Sequence, residues 1–125
     1  MNNPPLILIV DDDWMSRELL QAHLDGYQVM MANNGEKALQ VAEANPPDLV
    51  IVDVRMPGIS GYEFVSRLRA NAIHHDTPVL MLSALEGDEP RRKALAAGAS
   101  DLFNKPFDSL ELMARIRSLL GQSPV

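Results

Sequence analysis

Three short aliphatic runs divide the chain: Leu6-Ile7-Leu8-Ile9-Val10, Leu49-Val50-Ile51-Val52 and Val79-Leu80-Met81-Leu82. Uninterrupted apolar runs of this length are the pattern of parallel-sheet strands covered on both faces. Tyr27 to Ala32 and Leu102 to Asn104 read as two further strands. The segments between them carry apolar residues at helical spacing. Residues 14 to 24 place Leu19, Leu20 and Leu24 on such a stripe, with Asp13 available as N-cap and Asp25-Gly26 as a break. Asn34 can cap a helix from Gly35 to about Ala44, which Asn45-Pro46-Pro47 ends. A Pro57-Gly58 turn precedes a helix from about Tyr62 to Asn71. Asp88, as a cap-like residue, and Pro90 start a fourth helix that Gly98 closes. Asp108 and Glu111 have capping-box spacing ahead of Leu112, Met113, Ile116, Leu119 and Leu120, a stripe that stops at Gly121. Five alternations of strand and helix predict an α/β fold: a parallel sheet with helices on both faces and right-handed crossovers.

At 125 residues the chain is expected to form one domain, 1–125, with a structured core over about 6–120. The absence of cysteine excludes disulfides and thiolate metal sites. No run approaches the roughly 20 apolar residues of a membrane helix. Met1 to Pro5 lack the basic and apolar regions of an export signal, so a soluble, cytoplasmic protein is expected. A net charge of −6 and a pI near 4.9, with the basic residues scattered, argue against direct nucleic-acid binding.

The chemistry gathers where strands end. Ligands of open parallel sheets bind outside the carboxyl ends of the strands, and Asp11, Asp12, Asp13, Asp53, Ser83 and Lys105 all fall there. Taken singly, each has an ordinary reading: Asp12 or Asp13 as a helix cap, Asp53 as a turn residue, Ser83 as a cap, Lys105 as a solvated lysine. Taken together, they share one sheet edge, which those readings leave to coincidence. Carboxylates that close repel one another unless a cation sits among them, and hard oxygen donors with an open side suit Mg²⁺. With charge so neutralised, one carboxylate can attack phosphorus while an ammonium and a hydroxyl hold the transferring oxygens.

The segments Leu8-Ile9-Val10-Asp11-Asp12-Asp13, Asp53-Val54-Arg55-Met56-Pro57-Gly58-Ile59-Ser60-Gly61, Met81-Leu82-Ser83-Ala84 and Lys105-Pro106-Phe107 resemble the receiver domains of bacterial two-component response regulators, from Leu6 to about Leu120. Thirty residues separate Asp53 from Ser83 and 22 separate Ser83 from Lys105, as that family shows. The resemblance implies the flavodoxin-like receiver fold with strand order 2-1-3-4-5. It makes Asp53 the phosphoryl acceptor and Asp12 a direct Mg²⁺ ligand. Asp11 helps through water, and the backbone carbonyl of Arg55 adds an oxygen. Ser83 bonds the phosphoryl group, Lys105 pairs with it, and the Lys105-Pro106 bond is cis. A histidine kinase or phosphotransfer protein would be the donor. A downstream effector or a missing output domain would receive the signal, with a homodimer as a further option. Such a domain is a signalling switch rather than a turnover enzyme.

Receivers usually carry Tyr or Phe three positions before the lysine, where Leu102 stands here. Phe103 follows it, and strand alternation sends Phe103 to the opposite face. The signal is therefore expected to pass through the loop after the fourth strand and the fourth helix. Arg55 brings a cation beside the acceptor, where it either reaches the phosphoryl group or is merely solvated. Trp14 either senses Mg²⁺ or packs, and His74 and His75 are expected in a loop without a function. Two other readings compete: a binding module that keeps the fold without phosphorylation, and a phosphatase of the haloacid-dehalogenase type with Asp11 as nucleophile and Asp13 as acid. The phosphatase reading is weakened by Met15, where those enzymes carry Thr or Val.

Overall fold

The three aliphatic runs lie side by side at the centre of a five-stranded parallel sheet in the computed structural model, which describes residues 3–122. The outer limits of the expected 1–125 domain fall outside the described residues. The chain alternates β1 (Leu6–Val10), α1 (Trp14–His23), β2 (Gln28–Ala32), α2 (Gly35–Ala44), β3 (Leu49–Asp53), α3 (Gly61–Ala70), β4 (Val79–Ser83), α4 (Asp88–Ala97), β5 (Asp101–Asn104) and α5 (Ser109–Leu119). The strand order is β2-β1-β3-β4-β5, as the resemblance implied.

Side chains of a strand alternate between faces, so each central strand must be apolar at every position to be covered twice. Leu8, Val10, Val50, Val52, Val79 and Met81 point to one side and pack with Ala38, Ala42, Phe64, Val65, Leu68 and Ala94 of α2, α3 and α4. Ile7, Ile9, Leu49, Ile51, Leu80 and Leu82 point to the other and meet Leu20, Leu24, Leu112 and Ile116, from α1, its C-cap and α5. Each of these strand residues is at most 1% exposed. Full burial of such a side chain contributes about 1.5–3 kcal/mol, so the sheet centre is the part of the fold most strongly specified by sequence.

The caps follow the polar pattern. Asp13 accepts from the Met15 amide, Asn34 from Lys37, and Asp108 from Leu110 and Glu111. Ser60 caps α3 by accepting from the Glu63 amide, so that helix begins one residue earlier than its apolar stripe suggested. The expectation that Asp88 caps α4 is corrected. Gly87 holds that position at φ +97°, no side chain caps the helix, and Asp88 lies inside the first turn. Pro90 sits in that turn, where its missing N–H costs no hydrogen bond. Gly98 closes α4 at φ +110°, the left-handed geometry that favours glycine. Leu19 is 58% exposed, so α1 buries Leu20 and turns Leu19 outward. The His74–His75 region is less loose than expected: Ala72–His74 form a 3-10 turn and His74 is only 2% exposed.

Candidate functional site

Parallel strands all end at one edge, and the ends of β1, β3, β4 and β5 there bring Asp11, Asp53, Ser83 and Lys105 to one region. One carboxylate oxygen from each of Asp11, Asp12 and Asp53 lies within 4.8 Å of the other two. Lys105 Nζ reaches Asp53 at 3.2 Å and Asp11 at 3.3 Å, bridging the acids from β5. Asp11 is nearly buried at 3% exposure and is fixed from its own loop, where its Oδ1 accepts from the Asp13 amide at 3.0 Å. Its backbone carbonyl accepts from Arg17 Nη1 at 2.7 Å. Asp12 is exposed and Asp53 intermediate, so the cluster opens towards solvent. That opening is a hollow lined by Asp12, Val54, Arg55, Met56, Ser60 and Leu85.

Ser83 is 1% exposed and its Oγ accepts from the Leu85 amide at 2.9 Å. An accepting hydroxyl keeps its own proton to donate elsewhere. The loop after β3 is shaped by Gly58 at φ +79° and by Gly61, whose amide donates to Val54 O at 2.8 Å. A Cβ on Gly61 would run into the carbonyl oxygen of Asp53, so glycine is required for this close approach.

Burial raises the Asp53 carboxyl above the usual aspartate value, Lys105 pulls it back, and Asp11 and then Asp12 push it up again. Lys105 is held protonated: burial acts against its charge, but Asp53 and Asp11 outweigh that and raise it. The acid cluster thus keeps more negative charge than one ammonium compensates. Three hard oxygen donors with an open side and residual negative charge are the donor set that suits Mg²⁺ rather than a softer metal.

Every residue singled out at the strand ends is accounted for. Asp11, Asp12, Asp53 and Lys105 form the cluster, and Ser83 stands at the end of β4 next to β3. Asp13 does not join them, because its carboxylate is spent on the Met15 amide and the Ser16 hydroxyl. The Lys105-Pro106 peptide is cis, as the resemblance implied. Arg55 lines the hollow two residues beyond Asp53 with its side chain exposed. Trp14 is 63% exposed, which rules out the packed reading of that residue. Leu102 is buried among the residues of the first core cluster, while Phe103 packs against the second, as alternation required. Sequence reasoning missed Asn104, whose Nδ2 donates to Leu85 O at 2.7 Å. Its only signal was a polar residue placed directly before the lysine.

The family model described as "Response regulator receiver domain" matches residues 7–117. The chain is 42% identical over 123 residues to "Probable transcriptional regulator ycf27" of Cyanophora paradoxa, covering 97% of this chain and 50% of that protein. It is 41% identical over 119 residues to "Transcriptional regulatory protein PcoR" of Escherichia coli, covering 94% and 52%. The chain therefore spans about half the length of these relatives. Among solved structures, a putative response regulator from Chloroflexus aurantiacus J-10-fl superposes with a TM-score of 0.91 at 40% identity, covering 95% of this chain and 99% of that one. The chemotaxis response regulator CheY4 of Vibrio cholerae gives 0.87 at 32%, covering 93% and 98%.

Proposed function

Because the chain belongs to the response regulator receiver domain family, we propose that it is a phosphoryl-accepting switch in which Asp53 takes the phosphoryl group. The observation that carries this reading is the Lys105 ammonium between Asp53 and Asp11, with Asp12 completing a triad of carboxylates open to solvent. Asp11, Asp12 and Asp53, with the backbone carbonyl of Arg55, would hold Mg²⁺. The ion, when bound, would neutralise charge on the acids and on the incoming phosphoryl oxygens.

The chain's own residues do the rest. An oxygen of Asp53 attacks phosphorus in line, the P–N bond of a phosphohistidine donor protonated on its other ring nitrogen breaks, and the neutral imidazole leaves with the bonding electron pair. Lys105 pairs with a phosphoryl oxygen as its contact with Asp53 loosens, and Ser83 donates its hydroxyl proton to another. Hydrolysis of the acyl phosphate returns the carboxylate and inorganic phosphate. A haloacid-dehalogenase mechanism needs a free acid at Asp13, and that side chain is committed to capping α1.

The donor is a histidine kinase or histidine phosphotransfer protein. Because the chain spans half of relatives named as transcriptional regulators, the output belongs to a further domain or an effector protein, with a homodimer as one route. The reading takes 1–125 as one receiver domain with its core over about 6–120, acting in the cytoplasm as a switch rather than as a turnover enzyme. Among the described residues no helix is long and apolar enough to cross a membrane.

Mass spectrometry after incubation with acetyl phosphate and Mg²⁺ tests the proposal. Wild type gains the mass of one phosphoryl group and Asp53→Asn does not. An equal adduct on both proteins would place the acceptor elsewhere.

A further inference from the structure

Leu85, two residues beyond Ser83, is held by both of its backbone polar groups. Its N–H donates to Ser83 Oγ at 2.9 Å, and its carbonyl accepts from Asn104 Nδ2 at 2.7 Å. Asn104 stands opposite Ser83 in the β4–β5 register, and the Lys105 amide donates to Ser83 O at 2.8 Å. The same short stretch of β5 that delivers Lys105 to the acids therefore also grips the loop after β4. The Leu85 side chain packs against the first core cluster, in which β5 places Leu102 rather than an aromatic ring. Farther along the edge, Arg91 of α4 reaches Asp101 Oδ1 and Leu102 O, each at 3.1 Å, and ties the helix to the same strand.

We propose that Asn104 is a positioning residue for the phosphorylation switch, a latch that holds the Ser83–Leu85 loop in its resting place through the Leu85 carbonyl. The inference rests on the receiver reading above. When Ser83 Oγ itself shifts toward a phosphoryl oxygen on Asp53, it draws away from the Leu85 N–H, and the Asn104 amide is the side-chain bond that still restrains that peptide. Breaking the amide bond lets the loop follow the hydroxyl, and keeping it favours the unphosphorylated arrangement. The bond is at the surface, where a net hydrogen bond shifts an equilibrium by about threefold.

The test compares wild type with Asn104→Ala and Asn104→Asp. The aspartate is isosteric but offers no donor and sets a carboxylate against the Leu85 carbonyl. Two readouts are taken: amide hydrogen exchange at Leu85 in the resting protein, and the initial rate of phosphorylation by acetyl phosphate with Mg²⁺. The latch requires local acceleration of Leu85 exchange and labelling about threefold faster in Asn104→Ala, with Asn104→Asp moving at least as far in both. Exchange that accelerates across the whole sheet together with a lower melting temperature would mean a merely structural role and would overturn the proposal. So would unchanged exchange at Leu85, or labelling that is unchanged or slower, in variants of a wild type that labels normally. If wild type itself takes no phosphoryl group, the receiver reading fails first and the latch falls with it.

Discussion

Replacing Asp53 by Asn should stabilise the metal-free protein, although it removes the residue on which the proposed function depends. At an effective dielectric of about 20, unit charges 3.2 Å apart attract by about 5 kcal/mol, the Lys105–Asp53 case. At 4.8 Å two like charges repel by about 3.5 kcal/mol, the upper separation for Asp53 against each of Asp11 and Asp12. Screening at exposed Asp12 cuts its share, so Lys105 offsets the two acids, and the burial of the charged carboxylate is what leaves the ionised Asp53 destabilising. Asn removes the charge, while Lys105 keeps Asp11. The expected gain at neutral pH without metal is about 1–2 kcal/mol, or a urea midpoint higher by about 0.5–1 M.

The pH dependence has a definite sign. The folded-state carboxyl is raised above its ordinary 3.8, so below that value both states hold the proton and no penalty exists. The penalty grows as pH rises through the folded value and is complete above it. The advantage of Asp53→Asn should therefore vanish on acidification. Adding Mg²⁺ stabilises wild type in proportion to the logarithm of its occupancy and stabilises the variant less, closing or reversing the gap. Urea melts in EDTA and in Mg²⁺, at neutral and acidic pH, decide the matter. A variant no more stable than wild type in EDTA, or a gap indifferent to Mg²⁺, would refute the electrostatic account of the site.

Other substitutions probe other parts of the edge. Arg55→Ala should change the lifetime of the phosphoryl group on Asp53 by about two- to fivefold, roughly 0.4–1 kcal/mol, and an unchanged decay rate measured by mass spectrometry rejects a role for the side chain. Gly61→Ala sets a methyl against the Asp53 carbonyl and should cost about 1–3 kcal/mol in urea melts while slowing phosphorylation; a variant with wild-type stability shows that the loop yields freely. His74 is buried with neither ring nitrogen hydrogen-bonded, and burial lowers its proton affinity below the ordinary 6.5. Its unfolded form takes a proton first as pH falls, so wild type should lose up to about 1.4 kcal/mol per pH unit from near 6.5 downward. His74→Leu should flatten that slope, and parallel curves for the two proteins would disprove the assignment.

The sheet and most helices were legible because burial on both faces leaves a plain mark: β1, β3 and β4 admit no polar residue until their ends. The acids were legible for the complementary reason, since Asp11 and Asp53 each interrupt an aliphatic run where the sheet stops. Helix rotation was less so. Leu19 and Leu20 have the same hydropathy, and only the packing of α1 on Ile7 and Ile9 decides that Leu20 goes inward. The start of α4 was misread because Asp88 has cap chemistry, whereas Gly87 has the backbone freedom the turn uses at φ +97°.

Leu102 and Asn104 mark the boundary between what alternation can tell and what it cannot. Both point to the same side of β5 by parity, and sequence alone fixes that much. Leu102 lies within the strand and is covered by α4, so its apolar side chain is consumed by the core at 3% exposure. Asn104 lies where the strand runs out, beyond the cover of the helix, and its amide turns to the loop carbonyl of Leu85 instead. An aromatic at residue 102 would have to find room beside its β4 register partner Met81, in a cluster that also holds Ala94, both of them fully buried. Leu102→Tyr should therefore strain the packed face, and its hydroxyl would need a partner beyond that cluster. With leucine there, the β5 side chain that bonds the loop after β4 is the polar one at the open end of the strand. A Leu102→Tyr protein that melts like wild type and still loses the effect of Asn104→Ala on labelling would show that the ring, once present, takes over the grip.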